Sequence, residues 1–99
     1  MVKFNYNNIN VELDYSEKML DSRDYPVIAK GFSFGNNYEI VEHNAQFNLI
    51  KRALKRRPNH MLSRIIAVKQ NIENITWEGK PGFRFDLEGI AVYKRKELS

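Results

Sequence analysis

Ninety-nine residues that are 42% hydrophobic, 28% charged and 12% aromatic suffice for one core and not for two, which excludes a fibrous repeat, a disordered chain and a pair of domains. The absence of cysteine excludes a disulfide framework, thiolate catalysis and Cys-based zinc binding, and suits an intracellular setting such as the cytoplasm, a host cell or a virion. The net charge of +4 is unevenly placed: residues 1–42 carry four basic and seven acidic side chains, residues 43–99 twelve and five, so the second half is suited to an acidic partner.

Met1 opens a charged, alternating segment instead of an apolar signal core. No apolar run approaches the roughly 18 to 20 residues a bilayer span needs, so no membrane segment is expected. "VKFNYNNINVELDY" then gives the clearest local pattern. A two-residue loop at Asn7 and Asn8 places Tyr6 opposite Ile9, Phe4 opposite Val11 and Val2 opposite Leu13, with every large apolar group on one face. Asn tolerates the positive φ that a type I′ turn requires, so turn chemistry and alternation agree.

"SEKMLDSRDYP" fits either a helical turn or an ordered loop, and Pro26 biases Tyr25 toward extended geometry. In "VIAKGFSFGNNYEIVE" a loop at Gly35, Asn36 and Asn37, with Asn37 suited to a left-handed position, pairs Phe34 with Tyr38 and Phe32 with Ile40 and predicts a second hairpin. Asn44 is a suitable N-cap for a helix running to about Arg57, ended by Pro58. On that helix Phe47, Ile50, Ala53 and Leu54 form an apolar stripe, and Lys51, Arg52, Lys55 and Arg56 fan across the opposite arc.

Asn59 can cap a second helix over residues 60–74, where Met61, Ile65, Val68 and Ile72 follow helical spacing. A strand is the competing assignment, because Ile65, Ile66 and Val68 are β-branched. The remaining segments read as a meander turning at "GKPG" and "DLEG", or as one long strand from Phe83 to Tyr93 with a bulge at Glu88 and Gly89. The expected fold is a single α+β domain over residues 1–99, an antiparallel sheet of hairpins packed against one or two central helices.

The functional candidate is the acid-free stretch from His43 to Gln70. Ordinary solvated helices mix signs to gain pairs four residues apart; an unmixed cationic array instead binds phosphates and releases their condensed counterions. Lys51, Arg52, Lys55 and Arg56 form the expected phosphate-contacting row, with Arg57, Arg64 and the tail cations Lys94, Arg95 and Lys96 at its margins. The partner is then RNA or DNA. The competing partner is an acidic protein surface, for an interaction or assembly component such as a viral structural part or host-factor inhibitor. Abundant Asn, Lys and Ile suit an AT-rich genome, viral genomes included.

Phe32, Phe34, Tyr38, Phe83 and Phe85 share their type with base-stacking platforms, but the proposed hairpins place them in the core. His60 lies among Arg56, Arg57 and Arg64, which sketches a metal-independent ribonuclease; an exposed histidine near a helix start is the simpler account. His43 and His60 lack a nearby carboxylate pair at ligand spacing, and Glu17, Asp21 and Asp24 offer carboxylates that could chelate a cation but are explained equally well as an exposed acidic loop. No metal or other cofactor is therefore expected. With no Walker loop, dinucleotide fingerprint, nucleophile elbow or HExxH, the expectation is a non-enzymatic binding protein.

Overall fold

The computed structural model describes residues 2–6, 9–15 and 27–95. Their order is β1 (Val2–Tyr6), β2 (Ile9–Leu13), β3 (Val27–Gly35), α1 (Tyr38–Arg56), β4 (His60–Trp77) and β5 (Lys80–Arg95). The strands form one sheet in the order β1-β2-β4-β5-β3. Neighbours are antiparallel except β2 and β4, which run parallel through Glu12 opposite Arg64 and Leu13 opposite Ile65. The fold is thus broadly α+β, with a mixed sheet in place of the expected antiparallel one.

The β1–β2 register is the one the alternation dictates: Val2 opposite Leu13, Phe4 opposite Val11, Tyr6 opposite Ile9. Phe4, Val11 and Leu13 are buried, and Tyr6 and Ile9 pack against the same core. Asn7 and Asn8, residues 16–26 with Glu17, Asp21 and Asp24, and Lys96 lie outside the described residues.

The second expected hairpin does not form. β3 ends at Gly35 and pairs with β5, Phe34 lying opposite Arg84 and Phe32 opposite Asp86. Asn37, extended at φ −98°, is the N-cap of α1, and its side-chain oxygen accepts the amide of Ile40 at 3.2 Å. Tyr38 and Ile40 therefore lie in the first helical turn, and Asn44 is an interior helix position. The helix buries Val41, Ala45, Leu49, Ile50 and Ala53, whereas Phe47 sits at its margin, 38% exposed, with its ring 4.9 Å from that of Tyr6.

Residues 60–74 belong to β4, so the second helix is replaced by its competing assignment. β4 carries two irregularities against β5, between Leu62 and Arg64 and between Ile66 and Lys69. Each inserts one extra residue, which returns Leu62, Ile65 and Val68 to the same buried face at a spacing of three. The second bulge lies opposite Gly89, where Ala67 adopts φ 51°, so the extra residue belongs to β4 and not to β5. β5 is a single long strand, and the hairpin turns at Glu78 (φ 51°) and Gly79 (φ 76°). Positive φ at both central residues is the type I′ geometry that suits twisted strands. "GKPG" is not the loop: Pro81 already pairs with Thr76.

The core lies between α1 and one sheet face, with Phe85, Leu13, Leu49, Ile50, Ile65, Leu87, Val11 and Val41 its largest fully buried members. Gln46, also buried, donates to the Tyr15 hydroxyl at 3.0 Å. Burial lifts the Tyr15 pKa, the Gln46 hydrogen bond opposes that rise, and Glu42 reinforces it. At the other end of α1 the Tyr93 hydroxyl donates to the Ala53 carbonyl at 2.6 Å.

Candidate nucleic-acid interface

β3 decides where the helix lies. Its alternate residues Ala29, Gly31, Ser33 and Gly35 are small, and Gly31 meets the α1 backbone at Leu49 and Ala45 directly. From Ala29 onward one strand face carries only small groups, and the large ones, Ile28, Lys30, Phe32 and Phe34, project from the other. Asn48 of α1 donates to the Phe32 carbonyl at 2.8 Å, along the edge of β3 that pairs with no strand among the described residues. The expectation that Phe32 and Phe34 are core is thereby overturned: each is 41% exposed. Of the other aromatics in that group, Phe85 is buried, while Tyr38 is exposed with its ring edge-on to those of Phe83 and Phe85.

The basic row occupies the flank of α1 above this edge, not the arc opposite the core. Lys51, Arg52 and Lys55 line a groove of about 420 Å³ with Phe32, Ser33, Phe34 and Asn48. Arg52, Lys55 and Arg56 line an adjoining one of about 530 Å³ with Ile28, Ala29, Lys30 and Glu88. Arg52 and Lys55 are common to both, and the Arg52 guanidinium carbon stands 5.8 Å from the Phe32 ring centroid. Lys51, Arg52, Lys55, Arg56 and Arg57 are all exposed, and among the described residues none of the five makes an ion pair.

The marginal cations divide. Arg57 closes α1 as its C-cap. Near it burial raises the Tyr93 pKa, and the positive charges of Arg57 and Arg56 oppose that rise. Arg64 follows β4 on the sheet face away from α1, in register with Glu12 and Val92, so it does not join the row. Lys94 next to Tyr93 is exposed on that same far face, and Arg95 pairs in register with His60. His60 lies in β4 with its ring 6.2 Å from Tyr93, and His43 stacks on Phe4 at 5.0 Å.

The far sheet face is mixed in sign. Arg84 makes a two-pronged bond to Asp86, at 3.0 and 3.3 Å, beneath Phe32, whose centroid is 5.5 Å from the guanidinium carbon. Lys69 lies opposite Glu88. Lys30, Asn48, Trp77 and Arg84 are surroundings that the acid-free run does not reveal, and Phe32 and Phe34 join them at the surface; the run of small residues at alternate positions of β3 is the signal that points to them. Among the described residues no helix is long and apolar enough to cross a membrane, and no three His, Asp or Glu side chains converge to hold a metal. No protein-family model, curated protein or solved structure matches this chain.

Proposed function

We propose that this chain is a small, non-enzymatic nucleic-acid-binding protein that holds phosphates on the basic flank of α1, in an intracellular setting. The observation that carries this reading is the exposed row Lys51, Arg52, Lys55 and Arg56 beside two contiguous grooves, with no acidic side chain paired to it among the described residues. Four like charges within two helical turns repel one another, a cost that an approaching polyanion relieves while its condensed counterions are released. Arg52 and Arg56 can each fork onto a phosphate, whereas Lys51 and Lys55 act as point charges.

The test is direct binding of the chain to duplex DNA, single-stranded DNA and RNA across a salt series. Affinity that falls linearly in log–log form with salt supports the reading. Absence of binding to all three, with loss of an acidic protein partner on neutralising the row, supports an interaction or assembly protein in its place.

A further inference from the structure

Resting on that reading, we infer that the nucleic acid held by α1 is single-stranded and that its bases stack on Phe32 and Phe34 of β3. A phosphate row alone does not distinguish a duplex from a single strand. The aromatic neighbours do, because paired and stacked bases of a duplex interior keep their faces covered, whereas unpaired bases offer theirs to aromatic side chains.

Phe32 and Phe34 stand with centroids 6.3 Å apart and planes within 16° of each other, two nearly parallel ledges. Neither is needed by the core, which lies on the opposite sheet face. Trp77 packs edge-on to Phe34 at 4.4 Å, and Arg84, tied to Asp86, supports Phe32. The ledges are therefore fixed in place before a ligand arrives, which lowers the ordering cost of binding. Arg52 joins the two halves of the site. A phosphate on its guanidinium leaves the attached base within reach of the Phe32 ring 5.8 Å away. The charge is complementary too, since the groove that contains both rings is lined by Lys51, Arg52 and Lys55 and by no acidic residue.

Trp77 is the chain's only tryptophan, so its fluorescence reports on Phe34. The experiment titrates the wild-type chain with oligothymidylate, oligouridylate, an abasic strand of equal phosphate number and a duplex, each of about twelve nucleotides or base pairs, a length within the usual span of single-strand sites. Both base-bearing strands are expected to quench Trp77 and to bind at least about tenfold more tightly than the abasic strand or the duplex. A tighter oligouridylate identifies RNA as the source, a tighter oligothymidylate DNA. The double substitution Phe32→Leu with Phe34→Leu, which keeps apolar bulk at both exposed positions, should abolish that preference and leave the salt slope unchanged. An abasic strand or a duplex that binds as tightly as oligothymidylate overturns this inference while leaving the phosphate row intact. Failure of every oligonucleotide to bind overturns both. Loss of wild-type self-association in the double variant, with strand binding unaffected, identifies the face as a contact between copies of the chain and also overturns the inference.

Discussion

Gly31 of β3 lies directly beneath Leu49 of α1: a methyl group on Gly31 would stand 2.6 Å from the Leu49 α carbon and 2.7 Å from the Ala45 carbonyl oxygen. Backbone on both sides cannot yield as a side-chain tip can. Gly31→Ala should therefore destabilise the fold by about 1 to 3 kcal/mol, the usual cost of overpacking, or more if the helix cannot lift. A lower urea midpoint with an unchanged m-value is the expected result. The same change should weaken ligand binding, because lifting α1 separates Arg52 from Phe32.

The orientation of α1 predicts a contrast between two nearby positions. Leu49 is fully buried and Lys55 exposed. Leu49→Ala should cost about 2 to 5 kcal/mol and Lys55→Ala no more than roughly 0.5 kcal/mol. Thermal unfolding of the two variants measures this, and equal losses would mean that the helix presents another face to the sheet.

Glu78 occupies a left-handed position, φ 51°, in the β4–β5 turn. Asn adopts that conformation with less strain, so Glu78→Asn should stabilise the chain by about 0.5 to 1 kcal/mol. An increased denaturation midpoint checks it.

Alkaline pH should loosen the fold through Tyr15 and Tyr93, whose pKa values burial raises above the ordinary 10.0. The native state favours the neutral phenol, so the stabilisation is complete below the unfolded pKa and is lost as pH rises through the folded one. Tyr93 also donates its hydroxyl proton to Ala53, which the phenolate cannot do. As pH rises above about 10, the wild-type melting temperature should fall more steeply than that of Tyr93→Phe. Parallel falls would show that Tyr93 does not contribute to the pH dependence.

What was legible in the sequence follows from how local its cause is. The β1–β2 register rests on five-residue strands with unbroken alternation, so pattern and pairing coincide. β4 misleads because two bulges convert a period of two into the spacing of Leu62, Ile65 and Val68, which imitates a helix. Tyr38 and Ile40 alternate like strand residues and yet are exposed in the first turn of α1, where Asn37 supplies the cap. The basic row is visible as an acid-free run, but the flank on which it sits depends on β3, which touches α1 only through tertiary packing. Arg64 falls within the same acid-free run and at the margin of the row in sequence, yet as a β4 residue it lies on the far face.

The most direct test of the central claim is the salt dependence of binding by the wild-type chain and by the variant Lys51→Gln, Arg52→Gln, Lys55→Gln and Arg56→Gln, using single-stranded and duplex DNA in parallel. All four side chains are exposed, so the variant should retain the wild-type melting temperature to within the small effects of surface substitutions. If each side chain neutralises one phosphate, the log–log slope should become shallower by about 3 on a single strand and by about 3 to 4 on a duplex, with most of the affinity gone. A variant whose slope and affinity equal those of the wild type would contradict the account.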